Sequence, residues 1–211
     1  MMVAASLRLS HSKRVDREKA VDSILRQLHL THARHTRVGN ERTRGISGGE
    51  RRRLALGCEL LGNPRTIFAD EPTSGLDAFQ AERMMSVLRD IAQQGCTVIV
   101  TIHQPSSKVW RMLDDVMLLS GGRAVYSGER LTCLPTLGVL GHRCPLETNP
   151  AEFVLDVISV DLSSPLSERL CSQRVDALVL QWARLSRRLP MADGNAADIL
   201  CCGLGGTRVG L

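Results

Sequence analysis

The sequence predicts an α/β fold built on a parallel sheet, and three observations carry that prediction. Thr66 to Ala69 is a short strand-like run behind the stop signal Gly62-Asn63-Pro64. Ala81, Met84, Met85, Leu88, Ile91 and Ala92 then repeat at helical spacing up to Gly95. Thr97 to Ile102 follows as a nearly continuous β-branched run, the pattern of a buried parallel strand. Strand, helix and strand in that order imply a crossover between parallel neighbours. A length of 211 residues accommodates one domain or two small ones and can bury a sizeable core.

The remaining elements read in order. Asp16 to Leu30 carries Ala20, Val21, Ile24, Leu25 and Leu28 on one helical face, and a polar loop with arginines runs from Thr31 to Gly45. Leu54, Ala55, Cys58 and Leu61 mark the next helix, with Cys58 read as a small buried hydrophobe. Val116 to Leu119 and Arg123 to Tyr126 flank Gly121-Gly122, the signal of a hairpin at the sheet edge. Asn149-Pro150 opens another helix, because asparagine caps and proline suits the first helical position; Ala151, Val154, Leu155 and Ile158 form its stripe. Beyond Ser163 the signal weakens. Leu178, Trp182, Leu185 and Leu189 predict a basic amphipathic helix with Arg184, Arg187 and Arg188, and Ala192 to Leu211 reads as a flexible, glycine-rich tail. The expected division is a domain over 1–160 and a linker with tail over 161–211.

Composition excludes several classes. With 43% hydrophobic and 23% charged residues the chain is neither fibrous nor wholly disordered. The formal charge of +5 comes from 27 basic residues, all arginine except Lys13, Lys19 and Lys108. Aromatic residues make only 3%, too few for base stacking, and basic clusters alone are usually solvated faces, so no nucleic acid is expected as a partner. Seven cysteines without a Cys-x-x-Cys pair among Cys58, Cys96, Cys133, Cys144 and Cys171 speak against zinc or a disulfide framework and for a reducing compartment. Met1 to Leu9 has no basic stretch ahead of its apolar residues, and no later run approaches the length of a membrane span.

Two clusters carry chemistry. Ile46-Ser47-Gly48-Gly49-Glu50 precedes a helix, and Ser47 with Glu50 has the spacing of a capping box. That is an ordinary helix start, yet adjacent glycines admit a close ligand, and Arg51, Arg52 and Arg53 oppose the helix dipole until an anion arrives. A phosphate site and a solvated arginine face both fit. Asp70-Glu71 ends the first strand before Pro72, and two carboxylates there call for a partner: hydrated magnesium on Asp70 and a polarised water on Glu71, or plain solvent at a strand end. Asp77, in Ser74-Gly75-Leu76-Asp77, is placed to cap the following helix. His103 ends the second strand, where ligands bind in open parallel sheets.

In their order and spacing these motifs resemble the ATPase domain of ABC transporters. Ile46 to Glu50 resembles the signature motif, Thr66 to Glu71 the Walker B strand, Ser74 to Asp77 the D-loop, and His103 the switch histidine. The stretches from Arg44 to Arg53, Thr101 to Ser107 and Asn149 to Ser159 are similar to the G (white) subfamily, and the likeness runs from about Ala4 to Ser159. The resemblance implies a P-loop NTPase-like parallel sheet, here incomplete, with a helical subdomain and a C-terminal helical extension. It implies ATP and magnesium as cofactors and a second nucleotide-binding domain, docked head to tail, as partner. Ser47, Gly48, Gly49 and Glu50 would face the γ-phosphate held by that partner, and Asp77 would act across the interface. Asp70 would organise magnesium, Glu71 would be general base or water-positioner, and His103 would steady the γ-phosphate.

One departure shapes the expected function. A phosphate loop needs Gly-Lys followed by Ser or Thr, but Lys13 follows Ser12, Lys19 follows Glu18 and Lys108 follows Ser107. The resemblance puts the family's glutamine loop and stacking aromatic ahead of the point matching Met1, and its membrane domain outside the chain. The expectation is therefore part of a transport ATPase at the cytosolic face of a membrane, a truncated product or incomplete gene model, inactive alone for want of Walker A. The alternative is a regulatory partner that offers its signature in trans to an intact domain. Without the phosphate-loop strand, sheet edges beside Thr66 to Ala69 and Thr97 to Ile102 would be open.

Overall fold

The computed structural model describes residues 1–40, 42–186 and 209–210. The chain opens with a helical layer of α1 (Met2–Arg8), α2 (Arg14–Gln27), a 3-10 turn (Thr31–Ala33) and α3 (Gly48–Leu60). Helix α2 stops earlier than its apolar pattern, which runs on to Leu30. His29 adopts φ 53°, the Leu30 N–H reaches the Leu25 carbonyl at 2.8 Å, and the His29 N–H reaches that of Arg26 at 3.0 Å. This is a Schellman ending with histidine in the place usually taken by glycine. It turns Leu28 and Leu30 into the core, both at most 2% exposed.

Helix α3 packs closely on α2 because Gly57 has no side chain: a Cβ there would sit 2.5 Å from Leu28 Cδ1. Its buried line is Gly49, Arg53, Leu56 and Gly57. The expected stripe of Leu54, Ala55, Cys58 and Leu61 is therefore rotated: Ala55 is exposed, Cys58 is only half-buried, and Leu61 alone is buried. Glycine at 49 and 57 removes bulk on the face that touches its neighbours, so of the large apolar residues within α3 only Leu56 is buried there.

The sheet has the order β1-β2-β5-β3-β4, formed by β1 (Thr66–Ala69), β2 (Thr97–Val100), β3 (Asp115–Ser120), β4 (Arg123–Glu129) and β5 (Val209–Gly210). Strands β1 and β2 are parallel with Ile67 opposite Val98, as the crossover requires. Strand β2 ends at Val100, two residues before the β-branched run does, because Thr101 turns its hydroxyl toward the end of β1. Strands β3 and β4 form the edge hairpin around Gly121 and Gly122, both at positive φ as a primed turn demands. Strand β5 lies between β2 and β3, parallel to both.

Helix α4 (Ala78–Gln93) covers one side of the sheet. Met84, Met85, Val87, Leu88, Ile91 and Ala92 are buried, as are Ile67, Val98 and Val100. Burying a side chain such as Leu88 contributes about 2 kcal/mol. On the other side the period of two puts Phe68 at 76% exposure beside Thr66 and Thr97.

Helices α5 (Ser107–Met112), α6 (Arg130–Val139) and α7 (Pro150–Ile158) complete the layer beside the hairpin. Asn149 caps α7 through the Ala151 N–H, and the stripe of α7 is Ala151, Val154, Val157 and Ile158, with Leu155 only half-buried. Helix α8 (Pro165–Ser186) begins well before the periodicity of Leu178 and Trp182 becomes readable. It docks by burying Val175 and Leu178, by the Tyr126–Trp182 ring contact with centroids 4.8 Å apart, and by an Arg123–Asp176 ion pair at 2.6 Å. Arg174 adds bonds to the Asp156 and Ser159 carbonyls at the end of α7. Arg187, Arg188 and Leu189 lie outside the described residues, as does the expected flexible tail apart from the backbone of 209–210. Among the described residues no helix is long and apolar enough to cross a membrane.

Candidate functional site

The start of α3 is fully built. Ser47 Oγ accepts from the Glu50 N–H at 3.3 Å, and the Ser47 N–H donates to Glu50 Oε2 at 2.8 Å, a complete capping box. Glu50 Oε1 also lies 2.6 Å from His32 Nε2. The Ser47 backbone N–H foremost, and then His32 and the Ser47 hydroxyl, hold the Glu50 carboxyl down to about 2. Gly48 stands in open space, while Gly49 is buried.

The three arginines do not form one exposed face. Arg51 is exposed and reaches toward the Val38 carbonyl, Arg52 Nη1 donates to the Pro72 carbonyl at 3.2 Å, and Arg53 is 1% exposed against α4. Arg52 and Arg53 thus hook α3 to the segment between the end of β1 and the first turn of α4.

At the strand ends, the Thr101 hydroxyl donates to Asp70 Oδ1 at 2.5 Å and accepts from the Glu71 N–H at 2.9 Å. Glu71 itself sits at φ 41°, a region that costs a non-glycine residue about 1 kcal/mol or more. A cleft of about 370 Å³ joins Glu71, Ser74, Gly75, Leu76 and His103. Gln104, at the rim, also has positive φ. Asp77 caps α4 by accepting from the Gln80 N–H at 2.8 Å.

Of the residues singled out in the sequence, Glu71 and His103 therefore share a cleft with Ser74, Gly75 and Leu76. Asp70 lies beside Glu71, turned toward Thr101, and Ser47, Gly48, Gly49 and Glu50 do not line that cleft. Sequence reasoning missed Thr101, Gln80 and His32, whose contacts cross between elements. Thr101 had one usable signal: a hydroxyl flanked by the apolar Val100 and Ile102.

An exposed carboxylate with one oxygen engaged suits magnesium, which takes one or two carboxylates and keeps several waters. Among the described residues no group of three or more His, Cys, Asp and Glu could hold a metal without such outside ligands. A nucleotide fits less well. None of the three lysines follows a glycine, and Lys108 is engaged by Glu82 at 3.3 Å, so these residues offer no cradle for β- and γ-phosphates.

Residues 3–74 match the family model described as ABC transporter. Over 188 residues the chain is 48% identical to ABC transporter G family member 7 of Arabidopsis thaliana, covering 87% of this chain and 26% of that protein. It is 38% identical over 184 residues to the human ATP-binding cassette sub-family G member 8, covering 85% of this chain and 27% of that one. The chain thus spans about a quarter of the length of these relatives. Among solved structures, cbiO1 from Clostridium perfringens, part of the ABC transporter complex cbiONQ, aligns with a TM-score of 0.47 and 23% identity over 62% of this chain and 55% of that chain.

Proposed function

This chain is a relative of the ABC transporters of the G family, and on that footing we propose that it carries the signature and Walker B share of a transport ATPase while leaving the phosphate cradle to other residues. The observation that carries the reading is the separation of Ser47–Glu50 from the cleft of Glu71 and His103. A site that needs both has to be completed by a second nucleotide-binding domain, docked head to tail.

In that assembly ATP with magnesium, when bound, would supply the scissile phosphoanhydride bond. The chain's own residues bind and orient. The open backbone at Gly48, the Ser47 hydroxyl and the positive end of α3 favour an anion presented by the partner, with Gly49 and Glu50 holding that end in shape. Asp70, fixed by Thr101, would offer a carboxylate to magnesium, and Glu71, held by the same hydroxyl through its backbone, would orient or deprotonate a water. His103, on the cleft wall, would contact the terminal phosphate, and Asp77, which caps α4, would act at the interface with the partner domain. On this reading the chain alone would not hydrolyse ATP. A transmembrane domain supplied elsewhere couples the cycle to transport, which sets the chain at the cytosolic face of a membrane.

A second reading, a regulatory partner presenting its signature in trans, is favoured by the completeness of the Ser47–Glu50 cap without a cradle beside it. Calorimetry tests the first reading: the purified chain should show no saturable magnesium-ATP binding at micromolar nucleotide, and saturation would overturn it. Mixing with an intact G-family nucleotide-binding domain tests the second. A change in that domain's ATPase rate supports it, and an unchanged rate and oligomeric state sinks it.

A further inference from the structure

We propose that Gln80 is a positioning residue that, through buried Arg53, sets the signature glycine Gly49 against the helix capped by Asp77. The proposal deepens the reading above and takes its functional meaning from it.

Three groups meet at one point between α3 and α4. Arg53 Nη1 donates to Gln80 Oε1 at 3.2 Å. The same oxygen faces Gly49, where a Cβ would sit 2.8 Å away, with Arg53 Nη1 next at 3.5 Å. Gln80 is also the residue whose backbone N–H Asp77 caps at 2.8 Å. One glutamine therefore touches the signature by its side chain and the D-loop by its backbone.

The chemistry of Arg53 argues that this contact sets local geometry and adds little to global stability. Among the described residues Arg53 is the only buried charged side chain, and its Nε–H has no hydrogen-bond partner. Burial foremost, and then Arg83, pushes its pKa down, while Glu50 pulls it up. A buried guanidinium with a neutral acceptor and an unsatisfied donor is a poor source of stability, and apolar replacements for such groups are often neutral or better. What it supplies is direction: a planar donor that holds the Gln80 amide in one orientation. That orientation sets how near α3 can come, because glycine at 49 fits against the amide as Arg53 holds it, whereas a Cβ there would push the Gln80 oxygen off its bond to Arg53. Signature and D-loop then move as one body, which matters if both face the same partner domain.

The experiment uses the full chain without nucleotide, so its outcome is independent of the calorimetric test. Amide exchange at Glu50 to Arg53 is followed in wild type, Gln80→Ala and Gln80→Glu, with β4 as an internal reference. Gln80→Ala should speed exchange there about fivefold while β4 is unchanged, and Gln80→Glu, which keeps an acceptor, should restore protection. Gly49→Ala should destabilise the wild type but become near-neutral in the Gln80→Ala background, where the obstructing oxygen is gone and alanine favours the helix. Unchanged exchange in Gln80→Ala, failure of glutamate to rescue it, or an equal cost of Gly49→Ala in both backgrounds would overturn the proposal.

Discussion

Thr101 donates its hydroxyl to Asp70 at 2.5 Å across the ends of two adjacent parallel strands. The same oxygen accepts from the Glu71 backbone, so one side chain orders both carboxylate-bearing residues. Thr101→Val keeps the β-branched shape and removes both bonds. It should lower stability by about 1 kcal/mol, seen as a reduced urea midpoint at unchanged slope, and Thr101→Ser should recover part of the loss. An unchanged midpoint in the valine variant would mean that water replaces the hydroxyl without cost.

Glu50 makes an acid-range prediction. Its carboxyl is held at about 2 in the folded chain against an ordinary 4.5, so ionised Glu50 stabilises the fold fully above about 4.5. That contribution fades as pH falls from there through about 2. Melting curves across this window should drop more steeply for wild type than for Glu50→Gln. Parallel curves would contradict the role given to the Ser47 and His32 bonds.

Capping and charge can be separated at Asp77. Asp77→Ala should cost about 1 kcal/mol through loss of the α4 cap, whereas Asp77→Asn keeps an acceptor for the Gln80 N–H and should cost only a few tenths. If the asparagine variant, mixed with an intact nucleotide-binding domain, alters that domain's ATPase rate differently from wild type, the carboxylate acts beyond the cap.

Leu88 is fully buried between α4 and the sheet, and Leu88→Ala should destabilise by about 3 kcal/mol in chemical denaturation. A loss under about 1 kcal/mol would show that the layer collapses around the gap.

Cys133 is wholly buried, and burial pushes its thiol up to about 12. It should resist alkylation in the folded chain at neutral pH and react once denaturant unfolds α6, while half-buried Cys58 and Cys171 react earlier. Mass spectrometry of timed labelling reads the order, and early modification of Cys133 would contradict the packing of α6.

Much of the fold was legible because its signals are local. The β-branched run of β2, the glycine pair at 121 and 122, and Asn149-Pro150 each state their conformation within a few residues. Ser47 and Glu50 were readable as a cap for the same reason. What stayed hidden depends on partners distant in sequence. Arg53 looks like one of three solvent-facing arginines until α4 covers it, and the bond from Arg174 to the end of α7 has no sequence signature at all. Helix α8 was underread because only Val175 and Leu178 are buried, too few to set a clear period over 22 residues.

Among the described residues Phe68 stands exposed on one side of the sheet, with a practical outcome for anyone following the folding of this chain. Dyes that light up on greasy surfaces will find a docking place before any heating begins, so a thermal shift trace should start bright and show little rise. Trp110, enclosed at 3% exposure, offers a signal free of that background: its emission should move to longer wavelength only when the layers come apart.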